Sequence, residues 1–350
     1  MEIHHHYIVS GREAKRVINL AREKVAKVIN CKAKEIYFTS CGSESDNLAL
    51  KGIAYQNRDR GNHIITTKIE HPAILNTCHT LERQGFEVTY LNVDKKGFIS
   101  LYELENAIKE NTILISVMFA NNEIGTIQPI SEIGQIARKH NIIFHTDAVQ
   151  AIGNIEIDVE NMNIDLVSMS AHKFYGPKGI GALYVREGIE FEKIQDGGHQ
   201  ERAKRAGTEN VAGIVGLGEA IYLSYKNLKD YNDKLIILRD YLISNIEEKI
   251  PKVKLNGDRI KRLPGNVNIS FEDVKGEELL FKLDEKGICT SSGSACSSGK
   301  SSPSHVLMAI GSTSDMASGT LRITLGIESN KEDVDFLIEN LVQIVSDLRK

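Results

Sequence analysis

Hydrophobic positions in the first half of the chain switch repeatedly between helical and strand spacing. Residues 11–30 carry apolar side chains three and four positions apart, with charged residues between them, which predicts an amphipathic helix. Short apolar runs predict strands at residues 35–39, 63–66, 88–91, 112–119 and 142–145. Helical spacing recurs between these runs, at residues 73–84, 101–109 and 131–140. Strands that alternate with helices predict an α/β fold, in which helices cover both faces of a mainly parallel sheet.

The second half of the chain begins with apolar runs at residues 165–170 and 180–185. Long helical patterns follow at residues 211–226 and 231–249, and further strands are predicted at residues 253–255, 267–271, 288–290 and 321–325. A last helix is predicted to begin at Ser329, because Glu332 completes a capping box three residues later. We therefore expect a large domain over residues 1–230 and a smaller C-terminal α/β domain over residues 231–350.

Composition limits the classes of function. The 350 residues are 41% hydrophobic and 26% charged, with a net charge of −4, which predicts a soluble globular protein and argues against direct binding of nucleic acid. No apolar run is long enough to span a membrane, and the N-terminus lacks the apolar core of a signal peptide. The five cysteines are scattered and form no C-x-x-C pair, which indicates free thiols in a reducing cytoplasm rather than disulfides or a metal site.

Chemically competent side chains follow the predicted strands, and in open parallel sheets ligands bind beyond the carboxyl ends of the strands. Those ends carry a turn of small and hydroxylated residues at 39–45, then His71, Asn122, Asp147 and Lys173. Each has an ordinary explanation when taken alone, as a turn former, a surface histidine or a solvated lysine. Together an anion-binding turn, a ring, a carboxylate and a lysine form the set that pyridoxal phosphate (PLP) needs.

Lys173 and Asp147 are the most informative members of this set. Lys173 follows an apolar run and precedes a Gly-Pro turn, so a rigid strand end and apolar surroundings favour the neutral amine that forms a Schiff base. Asp147 ends an apolar strand, where a carboxylate is costly unless it is partnered. The protonated ring nitrogen of PLP is a suitable partner, so both residues point to this cofactor.

Seven motifs extend the pattern over most of the chain, at residues 38–47, 70–71, 120–129, 145–150, 170–179, 205–210 and 292–297. Through them, from about residue 11 to the C-terminus, the chain resembles cysteine desulfurases of the NifS/IscS type. These are PLP enzymes of the class-V aminotransferase family with the aspartate aminotransferase fold, which is fold type I.

The resemblance implies a role for each matching residue. Lys173 would hold PLP covalently, His71 would stack on the ring and take part in catalysis, and Asp147 would pair with the ring nitrogen. The ring hydroxyl would bind Gln150, and the substrate carboxylate would bind Asn122 and Arg322. The cofactor phosphate would be bound by Ser43, Ser170 and His172, with Thr208 reaching in from a second subunit of a homodimer.

Cys296 is the sulfur-accepting nucleophile by the same resemblance. It lies in a stretch rich in Ser and Gly between residues 291 and 304, which predicts a mobile loop, whereas Cys31 and Cys78 occupy helical patterns and Cys289 a predicted strand. Sulfur from L-cysteine would form a persulfide on Cys296 and leave L-alanine. A sulfur acceptor or scaffold protein would then receive it, for iron–sulfur clusters or for thiolation of tRNA or cofactors. No metal site is expected beyond a transient iron–sulfur contact at Cys296.

The chain departs from the family pattern at several points. Cys41 and His199 stand where the family has glycine, and the family's opening segment and the long C-terminal tail of the IscS subgroup have no counterpart in this sequence. Two alternatives stay open. One is a catalytically impaired homologue that acts as a binding partner. The other is another PLP enzyme of this fold, such as an aminotransferase or a selenocysteine lyase, although an aminotransferase would not need Cys296.

Overall fold

The computed structural model describes residues 9–292 and 303–350. The chain divides into two compact units. The first comprises Met1–Leu91, Ser100–Phe119 and Gln128–Leu228, and the second comprises Asn92–Ile99, Ala120–Ile127 and Lys229–Lys350. The second unit therefore takes two short segments from within the first half of the sequence, besides the C-terminal part of the chain.

The first unit is built on a seven-stranded sheet with helices between its strands. In chain order its elements are α1 (Val9–Val28), β1 (Ile36–Thr39), α2 (Gly42–Gln56), β2 (His63–Thr67), α3 (Pro72–Arg83), β3 (Glu87–Leu91), α4 (Leu101–Asn106), β4 (Thr112–Ser116), α5 (Ile130–Lys139), β5 (Ile143–Asp147), β6 (Leu166–Ser170), β7 (Gly181–Val185) and α6 (Val211–Lys226). The strand order is β1-β7-β6-β5-β4-β2-β3.

The sheet is mainly parallel, as the alternation of strands and helices predicts. The pairs β2–β3, β2–β4, β4–β5 and β5–β6 are parallel, and β7 alone runs against both of its neighbours, β6 and β1. Every residue of β2, β4, β5, β6 and β7 is buried. Burial on both faces explains why strands such as β4 and β7 are mostly apolar rather than alternating between apolar and polar residues.

The second unit contains a smaller antiparallel sheet, in which the strand Asn266–Phe271 lies between the strands Thr320–Thr324 and Val253–Leu255. Its elements are α7 (Leu228–Lys249), β8 (Val253–Leu255), β9 (Asn266–Phe271), α8 (Gly276–Asp284), α9 (His305–Ala309), α10 (Ser314–Ser318), β10 (Thr320–Thr324) and α11 (Lys331–Leu348). Leu242 and Ile243 of α7 and Leu341 of α11 join Phe271 and Leu321 in its buried core. The amphipathic faces of these two helices therefore cover the small sheet.

Several local predictions for this unit were wrong. Residues 288–290 form no strand, and a single bridge joins Ser291 to Arg322. The last helix begins at Lys331, because Asn330 caps it and exchanges hydrogen bonds with Asp333. The sequence patterns gave no signal for α8, α9 and α10.

Two sequence features fall outside the described part of the chain: the histidine tract at residues 4–6, and Cys296 with most of the segment rich in Ser and Gly. Within residues 9–292 and 303–350, no helix is both long enough and apolar enough to cross a bilayer.

Candidate active site

The carboxyl ends of β1, β2, β4, β5 and β6 lie at one edge of the large sheet, because these strands run in the same direction. Most of the predicted cofactor residues follow these ends within the first unit: Ser43 after β1, His71 after β2, Asp147 and Gln150 at and after β5, and Ser170, His172 and Lys173 at and after β6. The fold therefore brings these residues to one edge, where such sheets bind ligands.

Asp147 is the last residue of β5, and only 6% of it is exposed. Its Oδ1 accepts a hydrogen bond from the backbone N–H of Val149 at 2.9 Å. Burial raises the pKa of Asp147, while the Val149 N–H, His71 and Lys173 act in the opposite direction. The lysine and the histidine named from the sequence therefore both interact electrostatically with this carboxyl group.

A second buried carboxyl group, Asp46 of α2, was not identified from the sequence. Burial, and then the charge of Asp147, raises the pKa of Asp46 well above its usual range. His145 on β5 lies next to this carboxyl group. Its Nε2 is 3.9 Å from Asp46 Oδ1 and 2.9 Å from Oγ of Ser168 on β6. Burial lowers the pKa of His145 to about 3, so its ring is neutral. We assign the proton of the carboxyl pair to Asp46, because the positive charge of Lys173 acts to lower the pKa of Asp147.

His71 is held by the start of a helix and by a buried neighbour. It caps α3, and its Nδ1 accepts from the Ala73 N–H at 3.1 Å, so a neutral ring carries its proton on Nε2. The preceding residue, Glu70, is fully buried and accepts at Oε1 from the Met118 N–H at 2.9 Å and from the Thr67 hydroxyl at 2.8 Å. Burial raises the pKa of Glu70 to about 8. Together these contacts fix the backbone from which the imidazole extends.

Lys173 lies in the short 3-10 turn Ala171–Phe174, directly after β6. Ser170 is buried at the end of that strand, and its Oγ lies 3.0 Å from Nδ1 of His172. Burial and the positive charge of Lys173 lower the pKa of His172, which favours a neutral ring. Both Lys173 and His172 are exposed, so their side chains are accessible to a ligand.

The turn between β1 and α2 has the geometry of an anion cradle. A Cβ atom added to Gly42 would lie 2.7 Å from Cγ2 of Val149 and 3.4 Å from Cβ of Ser170, so the backbone comes close to the ends of β5 and β6. Ser43 is exposed in the first turn of α2. The free N–H groups and the dipole at the start of a 15-residue helix favour an anion there.

An ion pair that the sequence did not reveal links this cradle to the turn that carries Thr208. Arg205 Nε donates to Glu44 Oε1 at 2.7 Å, and Glu44 Oε2 accepts from the Ser40 N–H at 2.7 Å. Thr208 itself is exposed and lines a cavity of about 140 Å³ together with Ser40 and Arg205. Glu44 and Arg205 lie inside the motifs at residues 38–47 and 205–210, but nothing in the sequence indicates that they pair.

The two predicted substrate residues meet within the second unit. Arg322 on β10 donates through Nη1 to the backbone oxygen of Asn122 at 3.0 Å, and both residues are half-buried. The planar guanidinium group suits a substrate carboxylate, with donors arranged for two parallel hydrogen bonds.

Comparisons with known proteins show which proteins this chain is similar to. A model of the class-V aminotransferase family matches residues 2–337. Proteins named cysteine desulfurase IscS are 57% identical in Clostridium botulinum and 56% identical in Methanosarcina thermophila. Each match covers 97% of this chain, and it covers 86% and 84% of those two relatives, respectively. The solved structure of a NifS-like protein superposes with a TM-score of 0.92 at 38% identity, over 99% of this chain and 92% of that one.

The chain belongs to the cysteine desulfurase family. The resemblance stated from the sequence motifs is thereby confirmed, together with the fold type I architecture. PLP is the cofactor of this family, and the residues of the first unit fit it. A buried acid that interacts with Lys173 suits the ring nitrogen, and the cradle at Gly42 suits the phosphate. Lys173, at the same edge, suits the aldehyde.

The two replacements of family glycines cause no backbone strain in this desulfurase. Cys41 has φ −173°, an extended conformation that any residue adopts, and His199 has φ −91°. Of the remaining cysteines, Cys78 is buried and Cys31 is half-buried, as expected of packing residues, whereas Cys289 is exposed and lies outside any strand. Burial, first among the causes, raises the pKa of Cys31 and Cys78, which makes both poor nucleophiles.

Proposed function

We propose that this desulfurase takes the sulfur of L-cysteine onto Cys296 as a persulfide, leaves L-alanine, and passes the sulfur to an acceptor. The observation that carries the proposal is the buried Asp147, which interacts with both His71 and Lys173 at the ligand-binding edge of the sheet. An acid that keeps a cofactor ring protonated, beside an exposed lysine, is the arrangement that PLP chemistry on amino acids requires.

The proposed roles follow from the side chains themselves. PLP, when bound, supplies an electron sink for the carbanion at the substrate Cα. Lys173 Nζ would bind the cofactor aldehyde, and the same amine would carry the proton removed from the substrate Cα. His71 would pack against the cofactor ring and could donate a proton from Nε2, because its Nδ1 accepts from the Ala73 N–H. Asn122 and Arg322 orient the substrate carboxylate.

The sulfur transfer balances without an external oxidant. The Cys296 thiolate attacks the substrate sulfur, a new S–S bond forms, and the substrate C–S bond breaks. The electron pair of that bond goes to the substrate Cβ, which takes up a proton and becomes the methyl group of alanine. A thiol reductant, or the thiol of an acceptor protein, then takes the outer sulfur from the persulfide.

We also propose a homodimer, in which Thr208 of one protomer binds the cofactor phosphate of its partner. Thr208 is exposed, and its turn is held by Arg205, so the hydroxyl can be presented to a second copy. The acceptor of the sulfur is a protein thiol or an iron–sulfur scaffold, in keeping with the name IscS that the relatives carry.

The test measures alanine and sulfide formed from L-cysteine, with PLP and a thiol reductant, in wild type, Lys173→Ala and Cys296→Ala. Lys178→Ala and Cys289→Ala are matched controls, because each removes an exposed lysine or cysteine that has no role in the proposal. We expect both controls to stay active, Lys173→Ala to lose the absorbance of covalently bound PLP, and Cys296→Ala to form no persulfide.

Two outcomes would contradict the proposal. A wild-type protein that stays colourless with PLP and forms no alanine would be an impaired homologue that acts through binding. Full desulfuration by Cys296→Ala would indicate a PLP enzyme that does not use this thiol, such as a selenocysteine lyase.

A further inference from the structure

The segment Ala120–Ile127 of the second unit forms a tight turn around the side chain of Asn121. Asn121 Oδ1 accepts from the N–H groups of Glu123 and Ile124, both at 2.9 Å, and its backbone oxygen accepts from the Gly125 N–H at 3.0 Å. Gly125 has a φ of +76°, which a glycine adopts without strain. The conformation on either side of Glu123 is therefore fixed locally.

Three buried side chains from a later part of the sequence hold this turn in place. The backbone oxygen of Glu123 accepts from Asn266 Nδ2 at 3.0 Å and from Asn268 Nδ2 at 3.1 Å. Arg262 Nη2 donates to the Ile124 oxygen at 2.8 Å. All three residues are at most 4% exposed, so these hydrogen bonds are shielded from water and hold the backbone of Glu123 firmly.

The side chain of Glu123 has a single hydrogen-bond partner in the described part of the chain. Its Oε2 accepts from the Ser304 hydroxyl at 2.5 Å, and Glu123 is only 1% exposed. The same hydroxyl accepts from the Leu307 N–H at 3.3 Å and so caps α9. A buried carboxyl group that loses its only donor is left unsatisfied, so this contact is costly to break.

Ser304 lies eight positions after Cys296. Ser291, which precedes Cys296, is linked to the turn that contains Glu123. Ser291 and Arg322 exchange two backbone hydrogen bonds, of 3.0 and 2.7 Å. Arg322 in turn donates to the backbone oxygen of Asn122 at 3.0 Å. The chain before Cys296 is thus linked to Asn122 through Arg322, and the chain after it is linked to Glu123 directly.

We propose that Glu123 is a positioning residue for the sulfur-accepting thiol, because its hydrogen bond from Ser304 fixes the point to which the chain returns after Cys296. The proposal rests on the proposed function, in which Cys296 attacks the sulfur of a substrate held by Asn122 and Arg322. Consecutive residues, Asn122 and Glu123, would then bind the substrate carboxylate and the Ser304 hydroxyl, respectively.

The kinetic test compares Glu123→Ala and Glu123→Gln with wild type. We expect Glu123→Ala to slow single-turnover persulfide formation on Cys296 by about tenfold, the loss of about 1.4 kcal/mol. The affinity for L-cysteine, followed through the absorbance of bound PLP, should change less than about threefold, since the backbone bonds of the turn remain. Glutamine keeps an acceptor oxygen at the same place and should restore most of the rate. A general disturbance of the turn would instead weaken cysteine binding and persulfide formation together.

Ser304→Ala and Thr313→Ala separate anchoring from helix capping. Both residues cap five-residue helices of the second unit, α9 and α10, but only Ser304 donates to a carboxyl group. Ser304→Ala should reproduce the Glu123→Ala effect, the double variant should be no slower than either, and Thr313→Ala should be unaffected. Additive losses in the double variant would overturn the proposal.

A measurement that does not depend on activity tests the positioning role of Glu123 separately from the proposed function. The rate of iodoacetamide alkylation at Cys296, relative to the exposed Cys289, should rise about threefold or more in Glu123→Ala, because the hydrogen bond that holds Ser304 is lost. The ratio should stay at the wild-type value in Glu123→Gln and Thr313→Ala. An inactive wild type with the expected ratios would refute only the proposed function. An unchanged ratio in Glu123→Ala would refute the positioning role, whatever the activity.

Discussion

Arg22 of α1 is a buried arginine whose replacement by alanine should unfold the first unit at a markedly lower temperature. It is 8% exposed, and its two terminal nitrogens donate to the two carboxyl oxygens of Glu201, each at 2.7 Å. Glu201 Oε2 also accepts from the Phe38 N–H at 2.9 Å. Arg22 Nη1 donates further to the Ile36 oxygen, so the arginine joins α1, β1 and the turn after residue 198.

The magnitude follows from what the substitution leaves behind. Arg22→Ala leaves the buried Glu201 carboxyl group with a single backbone donor. Breaking a buried ion pair in this way lowers the free energy of unfolding by about 3–5 kcal/mol. The same turn has three successive non-glycine residues with left-handed backbone, Glu201, Arg202 and Ala203, with φ of 44°, 58° and 64°. Their strain, on the order of 1 kcal/mol each, is retained only while the ion pair holds the turn.

Thermal unfolding followed by far-ultraviolet circular dichroism provides the assay. For a domain of about 200 residues the expected loss lowers Tm by roughly 6–20 °C. Arg16→Ala is the matched control, because Arg16 lies on the same helix and pairs with Glu13 while both side chains are more than half exposed. That control should leave Tm unchanged.

A double-mutant cycle with Glu201→Ala isolates the ion pair. The double variant should lose much less than the sum of the two single losses, since neither charge is then left unpaired. A Tm for Arg22→Ala within about 2 °C of wild type would refute the reasoning, because it would place this ion pair among those that contribute almost nothing.

Two further changes test the buried carboxyl group beside His71 and the turn around Glu123. Because burial raises the pKa of Glu70 to about 8, the folded protein keeps a proton that the unfolded chain loses near pH 4.3, and stability falls as the pH rises between those values. Glu70→Gln, which keeps an acceptor for the Met118 N–H, should raise Tm more at about pH 9 than at about pH 5; an equal change at both would contradict this assignment. Gly125→Ala should lower the free energy of unfolding by about 1–3 kcal/mol in urea titrations, because φ is +76° and the new Cβ would lie 2.4 Å from Asn266 Oδ1. An unchanged unfolding midpoint would show that the turn tolerates a side chain.

The sequence determined the helices and strands of the large unit and the positions of the functional residues at the strand ends. Apolar spacing is a local property, so strands such as β1, β2 and β6 begin and end within about two residues of their predicted bounds. Strand–helix alternation dictates parallel strands, and parallel strands bring Asp147 and Lys173 to the same edge. The motifs at these ends were specific enough to identify the family, which the comparisons confirm.

Local patterns were less informative in the small unit. Ile288 is half-buried and Cys289 exposed where a strand was predicted, and the last helix begins at Lys331, capped by Asn330, rather than at Ser329. Asn330 has the extended backbone, φ −130° and ψ 179°, that lets its side chain reach the Asp333 N–H. Several residues in this stretch could cap a helix, and the backbone conformation decides among them.

Only the tertiary structure decided which polar groups meet inside the molecule. Arg22 and Glu201 are 179 residues apart, and Glu123 and Ser304 are 181 apart, so no periodicity connects them. Burial likewise decides that Asp46 and Glu70 have raised pKa values, because the loss of water penalises their charged forms and the sequence does not record depth. Element type follows from neighbours along the chain, whereas pairing and protonation follow from neighbours in space.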